Sequence, residues 1–486
     1  MRKQTKLVAV LSAAALLAIG ASMTSFAATG WVNENGTFYY YDGDGEMVTN
    51  EWKKDGNSYF YLGDEGEMVT SSWVEDDYYV GPNGAMVTNA WVKTMLDDSD
   101  DSDPEEDGEA WFYFNNKGKK VTGKEMKING KYYRFDDDGK MLDGWQEIDD
   151  KVYYYGDEDD GARKSGWLWL ETATDEGDVD EEIGEDYDTE AWYYFESNGA
   201  RVEDKEKKIN GKTYAFNEYG QMSYGWVRTA DWTNDSIDDA SASDAKAITD
   251  VKYFFNQSNG ARVTGFVKVE GPNATGKQDD TNWYYLKDGK AKYASTSDAT
   301  AVDYKGVVGQ TEKEDDSTYE KTVVKLKLEG KYFAFDELGR MKTGKQAIKD
   351  GDDYAVYYFD DNGYMKTGKV SGVEDGDDES TYYFNTNNAG KGKGVTGEKD
   401  GYLYYKGRRQ DASDDYRYVV VDGKAYIVNT KGKIQKSTSK KYTIENVEGI
   451  DHAVIDKNGN ISFQDEDNKT VTPTLSDVAA DAPYFD

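Results

Sequence analysis

A tryptophan returns along this chain at a short and nearly constant interval. Trp31, Trp52 and Trp73 are spaced 21 residues apart, and Trp91 follows after 18. A period of this length is typical of a solenoid, in which each repeat is a supersecondary element that buries its apolar face only against its neighbours. The interval therefore predicts a stack of repeats of about 20 residues.

Each repeat has the pattern of a β-hairpin. In the first repeat a short strand begins at Trp31, a turn follows at "NG", and the aromatic strand "TFYYY" comes next. A second turn built on Gly45 leads to Met47 before the next tryptophan. The same glycine-to-methionine step recurs at Met68, Met86, Met141, Met222, Met341 and Met365. We therefore expect an all-β fold, a β-hairpin solenoid.

The aromatic strand explains why the repeats would stack. Side chains alternate across a strand, so Phe38 and Tyr40 point to one face and Tyr39 and Tyr41 to the other. A single hairpin is marginal in water. Both aromatic faces must therefore be covered, one in the core and one at the seam between hairpins, where we expect Trp52 of the next repeat to lie.

Composition changes along the chain suggest five segments. All 12 tryptophans lie between Trp31 and Trp283, and beyond them Lys345 and Lys369 stand where earlier repeats have tryptophan. The predicted segments are a signal peptide (1–27), Trp-containing repeats with acidic insertions (28–294), a linker or large insertion (295–322), Trp-free repeats (323–440), and a C-terminal capping hairpin with a tail (441–486).

The first segment has the pattern of a secretory signal. "MRKQTK" is a basic start, "LVAVLSAAALLAIG" is an apolar run of suitable length, and Ser25 and Ala27 are small residues ahead of a cleavage site. No second apolar stretch is long enough to span a bilayer. We expect a secreted protein that is held noncovalently at the bacterial cell surface.

The charge of the chain disfavours nucleic acid as a partner. The 95 acidic residues outnumber the 58 basic residues, for a formal charge of -37. Binding to phosphates requires stripes of lysine and arginine. A cationic or neutral ligand fits this chain better. The acidic insertions at 97–109, 171–190 and 230–250 lack the pattern of a calcium-binding loop, and we expect them to form a solvated face.

The sequence also lacks the residues that common catalytic and metal sites need. It has no cysteine, His452 is its one histidine, and no GxSxG, P-loop or HExxH pattern is present. A triad or a multi-histidine metal site would depend on His452 alone, which we interpret as a packed or solvated residue. The sequence therefore predicts a noncatalytic protein without a cofactor or a metal.

These repeats resemble the cell-wall-binding repeats of choline-binding type in Gram-positive surface proteins, which are related to glucan-binding repeats. The shared pattern is Gly30-Trp31, the aromatic run Phe38 to Tyr40, Gly45 with Met47, and the next tryptophan. It returns at Gly144-Trp145, Gly166-Trp167 and Gly225-Trp226. The resemblance covers about 30–440. It implies a left-handed superhelix of hairpins with choline or a saccharide in aromatic clefts between repeats.

By the same resemblance, twelve residues are expected to line three ligand clefts. The first contains Trp31, Phe38, Tyr40 and Trp52 beside Met47; the second contains Trp52, Tyr59, Tyr61 and Trp73 beside Met68; the third contains Trp73, Tyr79 and Trp91 beside Met86. Phe38, Tyr59 and Asp77 stand where the family prefers tryptophan, so these cages are expected to be shallow.

The expected ligand is choline-substituted teichoic acid or a related cell-wall polysaccharide. The alternatives are a glucan-binding adhesin, in which the rings stack on sugars, and a structural spacer without a small ligand. In some repeats a cation replaces the methionine, namely Lys120, Arg163, Arg201 and Arg262. A fixed charge beside a cage opposes a choline headgroup, so clefts near these residues are expected to be closed to choline or to stack the arginine itself.

Overall fold

The computed structural model describes residues 29–95, 108–172, 190–228, 232, 251–271, 281–294, 301–303, 320–336, 338–350 and 353–485. These residues form strands, turns and isolated bridges without a helix, which confirms the all-β prediction. Accordingly, no helix in the described ranges could cross a membrane. The predicted signal peptide lies outside the described residues, as do most residues of the three acidic insertions.

The described residues fall into two compact parts. The N-terminal part contains the described residues up to Lys205 together with Phe216–Met222, and the C-terminal part contains Glu206–Ala215 and the described residues from Ser223 onward. The strands of the N-terminal part are β1 (Gly30–Glu34), β2 (Thr37–Tyr41), β3 (Glu51–Asp55), β4 (Ser58–Leu62), β5 (Ser72–Val74), β6 (Tyr78–Val80), β7 (Ala90–Thr94), β8 (Ala110–Phe114), β9 (Glu125–Ile128), β10 (Lys131–Arg134), β11 (Trp145–Glu147), β12 (Val152–Tyr154), β13 (Gly166–Glu171) and β14 (Glu190–Phe195).

The division between the two parts falls within the hairpin of β15 (Lys205–Ile209) and β16 (Lys212–Phe216). The C-terminal part continues with β17 (Gly225–Arg228), β18 (Val251–Phe255), β19 (Gly265–Glu270), β20 (Thr281–Lys287), β21 (Lys290–Ala291), β22 (Ala301–Asp303), β23 (Glu320–Leu328), β24 (Lys331–Asp336), β25 (Met341–Lys342), β26 (Gly344–Asp350), β27 (Asp353–Phe359), β28 (Gly368–Asp375), β29 (Asp378–Phe384), β30 (Gly397–Lys399), β31 (Tyr402–Tyr405), β32 (Arg408–Arg409), β33 (Tyr416–Val421), β34 (Lys424–Asn429), β35 (His452–Ile455), β36 (Ile461–Gln464) and β37 (Thr470–Val471).

Successive strands pair into antiparallel hairpins with a conserved geometry from repeat to repeat. In the first hairpin Trp31 is opposite Tyr40, and in the second Trp52 is opposite Tyr61. We call the residue that occupies this place in any repeat the Trp position. Lys345 is opposite Tyr358 in the same way, which confirms that it stands at the Trp position of its hairpin.

The turn chemistry accounts for the hairpins. Asn35 and Gly36 have φ values of 58° and 99°, so both central residues of the first turn have the positive φ that a two-residue hairpin loop requires. In the second turn the Asp42 carboxylate accepts hydrogen bonds from the amides of Asp44 and Glu46, at 2.9 Å and 3.0 Å. These contacts fix where the chain reverses toward Met47.

One recurring backbone hydrogen bond joins each repeat to the next. The amide of Met68 in the second repeat donates to the carbonyl oxygen of Phe38 in the first repeat, at 2.7 Å. We call the place of Met68 the Met position and that of Phe38 the outer position. The same bond joins Met86 to Tyr59, Lys120 to Asp77, Met141 to Trp111, Arg163 to Tyr132, Arg201 to Val152, Met222 to Trp192, Arg262 to Thr213 and Met365 to Tyr332.

The side chain at the Met position reaches one repeat further. Met68 lies against Gly84 of the third repeat, whose φ is 74°, and a Cβ there would be 2.7 Å from the Met68 Sδ. Glycine is therefore required by both the backbone conformation and the close approach. One residue thus contacts three consecutive repeats, through its amide on one side and its thioether on the other, and this holds the hairpins in a stack.

The core consists of small clusters, each shared by neighbouring hairpins. Phe112 and Phe114 of β8 are fully buried and pack with Trp73 and Val87. In the C-terminal part, Val356 of β27 and Tyr382 of β29 pack with Phe485 near the chain end. In these two clusters the apolar residues of a described hairpin are buried against neighbouring segments, as the short period predicts.

Two predicted segments of the C-terminal part contain more structure than expected. Within 295–322, Ala301–Asp303 forms β22, which pairs with β23. At the end of the chain, β35 and β36 form the predicted hairpin, and β37 adds a third strand to it. His452 of β35 is buried, and its two ring nitrogens lie 2.7 Å from Asp451 and 2.8 Å from Gln464.

Candidate functional site

One pocket of the N-terminal part lies where hairpin β7–β8 meets hairpin β9–β10. Trp91 and Trp111 stand nearly perpendicular, with ring centroids 6.4 Å apart and planes at 87°. Tyr133 of the next hairpin closes a third side, with its centroid 4.9 Å from that of Trp91. Met141 also lines the pocket, which holds about 230 Å³ of free space, including the part open to solvent. We call this group the Trp91 cage.

The backbone places each wall of the Trp91 cage. Trp111 is opposite Lys93 in β7–β8, two residues before the Tyr113 that faces Trp91, so both aromatic residues of β8 lie on the same face. The Met141 amide donates to the Trp111 carbonyl oxygen at 2.8 Å, and this brings the next repeat against the outer wall. The Met141 side chain is held in turn by Gly161, where a Cβ would overlap its sulfur.

Carboxylates of the turn before Gly161 complete the lining of the cage. Asp159 accepts a hydrogen bond of 3.3 Å from Trp111 Nε1, and it also pairs with Lys93 at 3.2 Å. Asp160 lies 3.7 Å from Lys131 Nζ, and its Oδ1 accepts no hydrogen bond from the described residues. Burial, and secondarily the charge of Asp160, raise the pKa of the Tyr133 hydroxyl, so this wall stays neutral.

The chemistry of this arrangement suits a cation that cannot donate hydrogen bonds. The faces of tryptophan and tyrosine carry negative electrostatic potential and attract ammonium groups within about 6 Å of the ring centroid. The two carboxylates of the lining are paired with lysines, Asp159 with Lys93 and Asp160 with Lys131 and Lys164, so the attraction comes mainly from the aromatic faces. A quaternary ammonium group matches aromatic walls that offer dispersion and electrostatic attraction.

A second pair of tryptophans repeats this geometry. Trp167 and Trp192 of hairpin β13–β14 have centroids 6.4 Å apart and planes at 85°. The Met222 amide donates to the Trp192 carbonyl oxygen at 2.8 Å, as Met141 does to Trp111. Trp169 packs on the other side of Trp192 at 5.6 Å and is half exposed. We call this group the Trp167 cage.

The structure groups the residues of the first two predicted clefts differently. Trp31 contacts Tyr40 at 5.3 Å and Phe60 at 5.4 Å, and Trp52 contacts Tyr61 at 5.2 Å and Tyr78 at 5.6 Å. The second strand of the next hairpin therefore faces Trp31 through Phe60, and the prediction that Trp52 also borders the first cleft stays a prediction. We call the place of Phe60, Tyr78, Phe112 and Tyr133 the inner position.

The methionines are also displaced by one repeat from their predicted clefts. Met68, not Met47, meets Phe38 at the first seam, and Met86 meets Tyr59 at the second. Met47 is exposed and lies against Gly66. The reason is the direction of stacking: the amide at each Met position bonds back to the preceding repeat.

Two tryptophans of the third predicted cleft, Trp73 and Trp91, belong to different core clusters, and the cleft itself stays a prediction. Trp73 is buried in a core cluster with Tyr79 and Phe112, and its Nε1 donates to the carbonyl oxygen of Met95 at 2.6 Å. Trp91 belongs to the next cluster along the stack. Trp73 and Trp91, at consecutive Trp positions, therefore lie at two different seams between hairpins rather than at one.

Sequence reasoning missed the residues that complete the Trp91 cage, namely Trp111, Tyr133, Met141, Asp159 and Asp160. Trp111 opens the aromatic strand "AWFYF", at the place where the resembling family prefers tryptophan. That signal could have identified the outer wall. The acidic residues could not be found in this way, because they come from the turn of another repeat.

Models of known families match this chain in several segments. Models described as choline-binding repeats match 28–73 and 121–167 and, for a second model, 67–95, while a putative cell wall binding repeat matches 105–120, 187–200 and 348–365. A solved choline-binding domain from Streptococcus pneumoniae is 38% identical over 88% of its length and 13% of this chain, with a TM-score of 0.12. The chain belongs to the choline-binding repeat family.

Larger solved structures also match this choline-binding repeat protein. The modular autolysin LytC of S. pneumoniae is 18% identical, with 65% of this chain and 52% of LytC covered and a TM-score of 0.35. CbpF of the same organism, in complex with ipratropium, is 19% identical, with 84% and 100% covered and a TM-score of 0.27. The chain thus spans about half the length of LytC. Among curated proteins no match was found.

Proposed function

We propose that this protein is exported and noncatalytic, and that it attaches to the bacterial envelope by binding choline-substituted teichoic acid or a related wall glycan. The observation that carries the proposal is the Trp91 cage, in which three aromatic rings and a thioether surround a pocket with carboxylates at its rim. The matches to choline-binding repeats over Trp91, Tyr133 and Met141 support choline as the headgroup, and Trp111 lies in a match to a putative cell wall binding repeat.

The expected affinity of one cage is modest. Each ring face contributes about 1 to 2 kcal/mol to a desolvated cation, so three rings give about 3 to 6 kcal/mol. This range corresponds to dissociation constants around the millimolar level. A polymer that carries many choline groups engages several cages of one chain and gains avidity without any new contact. Repetition of weak sites is therefore the binding mechanism.

The noncatalytic part of the proposal is supported by the environment of His452. Its two ring nitrogens are both engaged with neighbouring side chains, and its imidazole is 3% exposed. A general base needs a ring nitrogen within reach of a substrate proton. His452 instead has the contacts of a residue that stabilises β35 and β36.

Exposed tryptophans favour a glucan as the second candidate ligand. Trp169, Trp192 and Trp283 are each at least 40% exposed and offer open ring faces on which a sugar could stack. This reading does not require a closed cage. It predicts binding to neutral polysaccharides that carry no choline.

Affinity chromatography of the chain from residue 28 separates these functions. We expect retention on choline resin, elution by free choline, and flow-through on dextran resin. Retention on dextran resin alone would contradict the proposal and indicate a glucan-binding protein. Flow-through on both resins would indicate a structural spacer without a small ligand.

A pair of variants tests whether the Trp91 cage is responsible. Trp111→Ala removes the outer wall, so calorimetry should count one choline site fewer than in the parent chain. Tyr364→Ala is the control, because Tyr364 is an exposed ring that contacts Phe333 and lies far along the chain from the tryptophan cages. Equal loss in both variants would contradict the assignment.

A further inference from the structure

Cations of the protein itself occupy a regular set of places in the stack. We call the place where two repeats meet a junction. It contains the residues at the Trp and outer positions of one repeat and those at the inner and Met positions of the next. Met68, Met86, Met141 and Met222 occupy the Met position at four junctions of the N-terminal part. At three other junctions of that part the residue is Lys120, Arg163 or Arg201, and in the C-terminal part Arg262 and Met365 occupy this position.

Each of these cations lies over an aromatic ring of its own junction. The Arg163 guanidinium carbon is 4.4 Å from the centroid of Tyr132 at the outer position, and that of Arg262 is 4.7 Å from Tyr253 at the inner position. Arg201 lies 5.7 Å from Trp145, and Lys120 Nζ lies 5.1 Å from Trp73, both at the Trp position. These distances are those of cation–π contacts.

At two of these junctions the tryptophan is also replaced, by a glutamate. Glu125 and Glu206 each stand four residues before an Asn-Gly turn, as Trp31 does before Asn35, so both occupy the Trp position. Arg163 Nη1 is 2.6 Å from Glu125, and Arg262 Nη1 is 2.6 Å from Glu206. A tryptophan and a methionine are thus replaced together by an ion pair.

The arginines are anchored as firmly as the methionines they replace. The Arg163 side chain is 14% exposed, and its Cδ lies 2.5 Å from the place that a Cβ of Gly199 would take, much as Met68 lies against Gly84. Arg201 is 9% exposed and pairs with Glu203 at 2.7 Å. Their aliphatic portions therefore preserve the stack, while the guanidinium groups take the space beside the rings.

We infer that these cations are resident occupants that close their junctions to choline, so that the chain carries a fixed pattern of open and closed sites. This inference rests on the proposed function. A resident cation is tethered beside the ring and has no translational freedom to lose, whereas free choline must lose it at every binding event. A ligand of millimolar affinity does not displace such an occupant, which also repels it by charge.

Open and closed junctions follow one another irregularly along the N-terminal part. The junctions of Trp31, Trp52, Trp91 and Trp167 have methionine and are open in this sense, whereas those of Trp73, Glu125 and Trp145 are closed. Ligand groups on a polymer would then have to match an uneven spacing of open sites. The resident cations therefore determine which spacing of choline groups along a polymer binds with full avidity.

The test converts one closed junction into an open one. Glu125→Trp with Arg163→Met restores the Trp and Met positions beside Tyr132, which already stands at the outer position. In the full chain from residue 28, calorimetry should count one more choline site than in the parent chain. Arg163→Lys in the Glu125 background keeps the cation and should leave the number of sites unchanged.

The outcomes separate the inference from the proposed function. An unchanged number of sites in the folded double variant would overturn the inference, whether or not the parent chain binds choline. A parent chain that binds no choline would overturn the proposed function, and a gain of one site in the variant would still support the inference. Folding of each variant is checked by its circular dichroism spectrum and unfolding transition.

A measurement on the parent chain does not depend on a variant that folds. Nuclear magnetic resonance of the arginine Nε–H groups should show no shift for Arg163, Arg201 and Arg262 at choline concentrations that shift the indole N–H of Trp111. Shifts of the arginine signals in step with that of Trp111 would mean that choline enters these junctions, and would overturn the inference.

Discussion

The indole Nε1 of Trp111 donates a 3.3 Å hydrogen bond to Oδ1 of Asp159, which ties a carboxylate to the outer wall of the Trp91 cage. The two residues are 48 positions apart and come from different repeats. The Asp159 carboxylate, which also pairs with Lys93, is thereby held at the rim of the proposed cation site.

Removing the charge of Asp159 should weaken choline binding at the Trp91 cage. We expect Asp159→Asn to raise the dissociation constant about two- to fivefold at low salt, because an exposed charge pair contributes up to about 1 kcal/mol. The effect should shrink as the salt concentration rises. Calorimetric titration with choline at two ionic strengths measures both.

Glu158→Gln is the matched control for this substitution. Glu158 pairs with the same Lys93 at 3.2 Å but does not line the pocket. It should change choline affinity less than Asp159→Asn does. A larger effect of Glu158→Gln would show that general acidity of the turn, rather than the carboxylate at the rim, attracts the ligand.

A methyl group at Gly161 should disturb both the stack and the cage. The φ of Gly161 is 56°, and a Cβ there would overlap the Met141 side chain. We expect Gly161→Ala to lower the free energy of unfolding by about 2 to 4 kcal/mol, from the left-handed backbone and from overpacking. Met141 must also move, so choline affinity at the Trp91 cage should fall. Thermal unfolding and choline titration report the two effects.

Gly144→Ala separates the two causes. Gly144 has a φ of 60°, but nothing lies within 4 Å of its Cβ place. The Gly144→Ala variant should lose about 1 to 2 kcal/mol of unfolding free energy because of its backbone conformation. Its choline affinity at the Trp91 cage should be unchanged. If Gly144→Ala weakened choline binding as much as Gly161→Ala, the Met141 contact would not be what shapes the cage.

The buried Asp375 should make the C-terminal part sensitive to acid. Burial alone would raise its pKa, but hydrogen bonds from Lys345 at 2.7 Å, Tyr382 at 2.6 Å and the Tyr484 amide, with the charge of Arg408, hold its pKa below the usual value. Because its pKa is lowered by folding, the Asp375 carboxylate stabilises the folded state. This contribution is fully present above the ordinary aspartate pKa of about 3.9, and it is lost as the pH falls through the pKa of the folded state. Urea unfolding between about pH 7 and pH 3 should show this decline.

Asp375→Asn should remove this part of the pH dependence and lower the stability at neutral pH. It leaves Lys345 and Arg408 without their shared carboxylate, and breaking a buried pair costs about 3 to 5 kcal/mol. Glu374→Gln, at the exposed neighbouring residue, is the control and should retain the parent profile. An unchanged acid limb in Asp375→Asn would contradict the role given to Asp375.

The chain end should stabilise the hairpins onto which it folds back. Phe485 is buried with Val356 and Tyr382, and Asp481 pairs with Arg417. We expect Phe485→Ala to lower the free energy of unfolding of the C-terminal part by about 3 kcal/mol. Choline binding at the Trp91 cage should be unaffected, because that cage lies in the N-terminal part. Leu475→Ala, at an exposed residue of the same tail, should have little effect.

The sequence predicted the repeat and its hairpins because both depend on local signals. The spacing of Trp31 and Trp52 reveals the period, and Asn35-Gly36 specifies the turn through its positive φ values. The place of Lys345 opposite Tyr358 also follows from the repeat pattern alone. These features need no knowledge of how one hairpin docks on the next.

The composition of each cage could not be obtained in the same way. Whether Trp31 meets Trp52 or Phe60 depends on which strand of the next hairpin faces the seam, and the period is the same in both cases. The carboxylate of Asp159 reaches Trp111 from another repeat. Contacts between repeats are set by tertiary packing, so they became visible only in three dimensions.

The most direct test of the account is a crystal structure of the chain from residue 28 grown with choline. We predict a choline headgroup in the Trp91 cage, with its nitrogen within about 6 Å of the ring centroids of Trp91, Trp111 and Tyr133. An empty cage at saturating choline, or choline bound only at other surfaces, would contradict the claim that neighbouring hairpins form the cation site.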